Sequence, residues 1–174
     1  MSLAVTVLPA PGPLGALTVG VTDAGLALVA FGDAPEVAER AAARFGTTAV
    51  AAAPRDAVEQ LAAYLAGELQ VFTTPLDWSL TSGTQRRVLE ALFATVPFGA
   101  TVTYGELAAR SGTVARGVGS IMGSNPMPVV VPCHRVLYQQ GLGADGLGGF
   151  GGGRATKEWL LALEGVLTPA LDFG

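Results

Sequence analysis

Cysteine and histidine each occur once in 174 residues, as Cys133 and His134, side by side. A lone cysteine excludes an intramolecular disulfide, and it is the kind of thiol that a reducing, cytoplasmic compartment keeps free. One Cys and one His cannot supply the ligand set of a structural zinc site, so no metal is expected. No window reaches the ~18 consecutive apolar residues of a membrane span, so no membrane partner is expected. The opening "MSLAVTVLPAPG" has no basic stretch ahead of an apolar run, and no signal peptide is expected. Low-complexity polar tracts are also missing, and 50% of the residues are hydrophobic, which excludes a disordered chain. The length suits one ordinary domain or two small ones sharing a core.

A basic surplus is missing too. The net charge of −4 argues against a strongly electrostatic nucleic-acid binder, but the charge is unevenly spread. Residues 1–80 hold three Arg against eight acids; residues 81–165 hold six Arg and one Lys against five acids. The second half is therefore mildly basic. Chance fluctuation and a nucleic-acid-facing half both fit that pattern.

What is present divides near residues 78–82. The first part, 1–80, is rich in strand signals: "LAVTVL", "GALTVGVT" and "GLALVAFG", the last two joined by "DAG" as a hairpin. "PEVAERAAARFG" and "RDAVEQLAAYLAGE" follow with apolar residues at helical spacing, then "VFTTPLDWSL" as an extended segment. The second part, 81–174, changes to helix, turn, helix. "TQRRVLEALFATV" is an amphipathic helix stopped by Pro97. Thr103 with Glu106 three residues on makes a capping box for a second helix that Gly112 ends. "TVARGVGSIMGS" is a third helix with Thr113 as its expected N-cap. The fold class is α+β: a small antiparallel sheet with helices, then a mostly helical domain holding a helix-turn-helix. Arg116, with Gly117, Gly119 and Gly123 around it, marks a helix face that something approaches closely. Tight helix–helix packing would give the same glycines.

"MPVVVPCHRV" reads as a short, stiff, buried extended segment that delivers Cys133 to a fixed place. Cys133 could be an inert core thiol. The polar His134 and Arg135 that follow point instead to a nucleophile, because only the thiolate attacks and its formation depends on nearby charge. Neighbours on a strand face opposite ways, so His134 would need a turn or a bridging water to serve Cys133. A third group would orient the histidine. Glu164 is the candidate: it ends an apolar helix, where a negative charge is poorly placed unless it has a partner.

These residues together resemble the O6-alkylguanine-DNA alkyltransferase family. The resemblance rests on "PCHRV", the upstream Asn125-Pro126, "TYGELA", "ARGVG" and "GGFGGGRATKEWLLALEG", in order over roughly residues 82–165. It implies a ribonuclease H-like N-terminal domain and a winged helix-turn-helix C-terminal domain. It also implies a cytoplasmic monomer that binds double-stranded DNA through the minor groove and flips O6-alkylguanine into a pocket. The alkyl group would pass irreversibly to Cys133, once per molecule, with no cofactor. By resemblance His134 takes the thiol proton through water, Glu164 holds His134, and Asn125 braces the loop. Tyr104 would donate to the guanine ring where negative charge develops. Arg116 would fill the stack that the flipped base leaves. Thr113, Gly117 and Arg135 would face the DNA with Arg116 and Tyr104; Val130, Phe150, Gly151 and Gly152 would line the pocket.

The sequence departs from the family pattern in places. The turn "RSGTVAR" is about two residues short. Gly105 stands where the family often has a polar DNA contact, and Gly117 where it usually has alanine; Phe150 and Gly151 stand where it usually has tyrosine and often serine, which implies a roomier pocket lid open to larger alkyl groups. "GLGADG" lengthens the loop after Arg135. Two other functions compete. Alkyltransferase-like proteins bind lesions without chemistry, but they generally lack the cysteine. A thiol hydrolase needs direct Cys–His contact and an oxyanion hole.

Overall fold

In the computed structural model the described residues are 2–52, 54–139, 147 and 150–167. Three strands open the chain: β1 (Leu3–Pro9), β2 (Ala16–Thr22) and β3 (Gly25–Phe31). β1–β2 and β2–β3 are antiparallel, with Val5 opposite Gly20 and Val19 opposite Val29. The hairpin expected at "DAG" is present, closed by Thr22 opposite Gly25. After helix α1 (Pro35–Arg44) a short strand, β4 (Ala49–Ala51), pairs parallel to β1 and completes the order β3-β2-β1-β4. Sequence reasoning missed β4. It is three exposed small or β-branched residues with no alternation, and only its pairing to β1 makes it a strand.

The sheet is covered on both faces. Leu3, Ala27 and Leu28 pack with Ala38, Ala41 and Ala42 of α1 in one cluster. Leu17, Val19, Leu26 and Val29 belong to a larger cluster. That cluster also takes Leu61 and Tyr64 from α2 (Arg55–Leu65), Val88, Leu89 and Leu92 from α3 (Gly83–Thr95), and Leu160 from α6 (Arg154–Leu163). The two halves of the chain therefore share one core. Each fully buried leucine there contributes about 1.5–3 kcal/mol.

Residues 71–80 cross between the halves in extended form, as expected, and end in a 3-10 turn, Trp78–Leu80. Asp77 caps that turn: Oδ1 accepts from the Ser79 N–H at 2.9 Å and Oδ2 from Thr22 Oγ1 at 2.5 Å. Arg86 on α3 then donates to the Trp78 and Thr81 carbonyls at 2.9 and 2.6 Å.

The helix-turn-helix consists of α4 (Tyr104–Ser111) and α5 (Ala115–Gly123), backed by α3. Thr103 caps α4 by accepting from the Glu106 N–H at 3.0 Å, and Gly112 stops it with φ +71°. Thr113 is not the cap of α5. Its N–H is used in reaching back to the Ala108 carbonyl, and Val114 takes the cap position without a side-chain bond. The short turn leaves only Thr113 between that helix stop and Val114, and its N–H is already committed to the end of α4. A two-residue parallel ladder, β5 (Val102–Thr103) with β6 (Val136–Leu137), lies beside α4. The lengthened "GLGADG" loop lies outside the described residues.

Candidate active site

The loop from Ser124 to Pro132 carries Cys133 into the centre of the protein. The sequence suggests a strand here. Instead the prolines and a left-handed residue fold the chain back, and Cys133–Arg135 form a single 3-10 turn. Val129 adopts φ +74° with its side chain fully buried. A β-branched residue in that region costs about 1–3 kcal/mol and persists only where the surroundings impose it. The surroundings here are specific. Asn125 Nδ2 donates to the Val131 carbonyl and Asn125 Oδ1 accepts from the Met127 N–H, both at 2.9 Å. The Val131 N–H reaches the Met127 carbonyl at 2.8 Å, and the Val29 N–H of β3 bonds the Pro126 carbonyl at 2.9 Å. Asn125 thus braces the loop from within, and the N-terminal sheet braces it from outside. Because Cys133 and His134 lie on a turn, the opposite-face rule for strands does not govern them.

Behind the cysteine lies a buried polar cluster. His134 Nε2 is 2.7 Å from Glu164 Oε2. Arg135 grips the same carboxylate with both arms of its fork, Nε to Oε1 at 2.7 Å and Nη2 to Oε2 at 2.8 Å. Its Nη1 donates to the Val96 carbonyl at 2.8 Å. Arg135 was expected on the DNA face; it is only 6% exposed and cannot reach a phosphate. The reason is physical: a buried carboxylate needs a desolvated counter-charge, and the planar guanidinium matches it in two-point geometry.

Burial opposes ionisation of Glu164, but the hydrogen bonds from His134 and Arg135 outweigh it and hold the carboxyl down at about 2. His134 is pushed below its ordinary range by burial. The Arg135 and Lys157 charges add to that shift, against the opposing pull of Glu164. The pair is therefore a carboxylate accepting from a neutral imidazole rather than an ion pair. Nε2 carries the proton, so Nδ1 is left as the basic nitrogen. Nδ1 is buried and has no protein hydrogen-bond partner among the described residues. The Cys133 thiol is raised by burial to about 11, with Asn125 and the Lys157 charge pulling the other way. At neutral pH it is a thiol that needs a base, and the base beside it is unprotonated.

Cys133 sits at the foot of a cleft of about 600 Å³, whose walls include Tyr104, Arg116, Met122, Tyr138, Phe150 and Gly151. That volume holds one nucleobase with a small substituent. The Tyr104 ring stacks at a tilt on Tyr138, with centroids 5.0 Å apart. Burial, then the neighbouring Tyr138 and Cys133, raise the Tyr104 phenol above its usual range, so it stays a donor. Arg116 is exposed at the start of α5, on the cleft rim. Gly117 is half-buried against Thr113 and has room for a methyl group. Two expected pocket residues are not in the wall. Val130 lies in the core behind it, and Gly152 packs against Phe31, where an added Cβ would come within 2.9 Å of the ring.

Two buried polar side chains near the site escaped sequence reasoning. Lys157 donates to the Val136 carbonyl at 2.7 Å and also to the Leu147 carbonyl. Burial lowers its ammonium to about 8 against the pull of Cys133. A signal existed: Lys157, Leu160, Leu161 and Glu164 fall at i, i+3, i+4 and i+7, placing two charged residues on an apolar helix face. Tyr64, from the N-terminal half, donates to Glu164 Oε2 at 2.5 Å. Nothing local predicts that bond.

A free buried thiol beside a neutral histidine, opening into a base-sized cleft rimmed by a helix-turn-helix, defines a DNA-binding protein class with a nucleophilic cysteine. Comparison with known proteins narrows it. The family model "6-O-methylguanine DNA methyltransferase, DNA binding domain" matches residues 83–166, and the "ribonuclease-like domain" of the same description matches residues 10–78. The chain belongs to the 6-O-methylguanine DNA methyltransferase family. A methylated-DNA–protein-cysteine methyltransferase of Mycolicibacterium paratuberculosis is 51% identical over 117 residues, 66% of this chain and 67% of that protein. The mouse protein of that description is 50% identical over 86 residues, 48% of this chain and 39% of its own. Mycobacterium tuberculosis OGT in complex with DNA superposes with a TM-score of 0.74 at 35% identity, covering 95% and 93% of the two chains. The O6-methylguanine-DNA methyltransferase of Pyrococcus kodakaraensis gives 0.71 at 31%, covering 94% and 99%.

Proposed function

We propose that this protein repairs O6-alkylguanine in double-stranded DNA by accepting the alkyl group on Cys133 Sγ. The observation that carries the reading is the neutral, Glu164-anchored His134, whose basic Nδ1 has no protein partner, next to a protonated buried thiol at the foot of the cleft. The thiol proton leaves through a water to His134 Nδ1. The Sγ–carbon bond forms as the O6–carbon bond breaks, and the guanine takes up a proton in place of the alkyl group. Tyr104 donates to the ring as charge develops; a donor placed there is worth about 10²–10³ in rate. Glu164 stabilises the imidazolium that forms. The thioether product is not hydrolysed, so each chain acts once and no cofactor is required.

The helix-turn-helix lies against the minor groove, where the small residues along α5 permit close approach. Arg116 enters the stack and offsets part of the few kcal/mol that flipping costs. All of these groups lie on one chain, which suits a monomer, and the free thiol suits the cytoplasm. The test is Cys133→Ala. The variant is expected to bind an O6-methylguanine duplex as well as the unmodified protein and to transfer no methyl group. Continued transfer would overturn the assignment of the acceptor.

A further inference from the structure

The N-terminal half reaches the proton relay through one side chain. Tyr64 on α2 is fully buried, its ring set against Phe72 at 5.3 Å and edge-on to Phe98 at 6.3 Å. Its hydroxyl donates to Glu164 Oε2 at 2.5 Å, across 100 residues of sequence. That oxygen already accepts from His134 Nε2 and Arg135 Nη2 at 2.7 and 2.8 Å. Three donors therefore converge on one carboxylate oxygen, and only one of them belongs to the histidine. We infer that Tyr64 is a positioning residue for alkyl transfer: its hydrogen bond sets how strongly Glu164 holds the His134 ring, which makes the N-terminal half part of the relay.

Short O–H···O⁻ bonds are charge-assisted, and each donor draws carboxylate charge to itself. Charge taken by Tyr64 is charge not available to His134 Nε2–H. The imidazolium is then less stabilised, and the ring stays neutral at rest and able to accept a proton. Tyr64 itself cannot act as a base. Burial first, then the Glu164 charge, push its phenol far upward, so it only donates. Glu164 faces Tyr64 from α2 and His134 and Arg135 from the 3-10 turn; His134 faces Glu164, Arg135 and Lys157, with Cys133 next in the chain. The inference rests on the proposed function for its effect on rate, but not for its effect on His134.

His134 is the only histidine, so its ring resonances are unambiguous in nuclear magnetic resonance. The experiment follows the His134 titration in the full chain with three side chains at position 64. Tyr64→Phe keeps the ring and removes the donor, and is expected to raise the His134 midpoint by about 0.5–1 pH unit. The acid limb of the rate of methyl transfer from an O6-methylguanine duplex should move up with it. 3-Fluorotyrosine at position 64, a stronger donor of nearly the same shape, is expected to move the midpoint down. A packing role would not shift the two replacements in opposite directions. Coincident titrations for all three would overturn the inference, and if the Phe variant does not fold, the fluorotyrosine shift decides alone. Failure of the unmodified chain to transfer methyl would instead overturn the proposed function, leaving the titration result standing.

Discussion

Replacing Glu164 by Gln removes the one negative charge in the buried cluster while keeping its shape. The stability consequence follows from the proton balance. The Glu164 carboxyl lies at about 2 in the folded protein against an ordinary value of 4.5. A difference of this size corresponds to about 3 kcal/mol, at 1.36 kcal/mol per unit. Because the folded value is depressed, that contribution is complete above the ordinary value. It is lost as the pH falls from about 5 through 2. Glu164→Gln should therefore be less stable at pH 7 by about 3 kcal/mol, with the Arg135 guanidinium left buried without its counter-charge. Its stability should also fall less steeply in acid. Urea unfolding measured at intervals from pH 7 to pH 2 reads both effects. Equal stability at pH 7, or an acid slope identical to that of the unmodified chain, would refute the argument that Glu164 is an ionised, buried anchor. In the same variant the His134 ring loses its anionic partner, and the rate of alkyl transfer should fall by at least about tenfold.

Other outcomes are expected. Arg116→Ala should slow repair of a lesion in duplex DNA more than reaction with free O6-benzylguanine, because only the duplex needs its gap filled; equal losses in the two rate assays would count against that role. Tyr104→Phe should lower the rate of transfer by about 10²–10³ while leaving thermal stability little changed, since the half-buried side chain packs through its ring on Tyr138; single-turnover kinetics check it.

The sequence was most informative where a residue's meaning is local. The Thr103–Glu106 cap, the Gly112 stop and the amphipathic period of α3 depend on neighbours within four positions, and all are present. Cys133, His134 and Glu164 were identifiable as candidates because each is an odd residue for its surroundings. Partners distant in sequence could not be read. Arg135 looks like a surface cation in a basic half, and only the fold brings Val96 and Glu164 around it. Tyr64 occupies an apolar-face position on α2, where its hydroxyl needed a partner, but that partner lies in the last helix. The loop before Cys133 is not legible locally: valines between prolines favour extension, whereas the Asn125 bonds and the packing of Val129 bend the chain. Thr113 has the composition of a cap and lies one residue too early.

The central claim is that Cys133 is the acceptor in a single, irreversible transfer. Its most direct test is the intact mass of the protein after reaction with excess O6-methylguanine duplex, followed by mapping of the modified peptide. The account predicts one methyl group per chain, located on Cys133, with no further repair once it is in place. A second methyl group elsewhere, repeated turnover, or tight lesion binding with unchanged mass would contradict it.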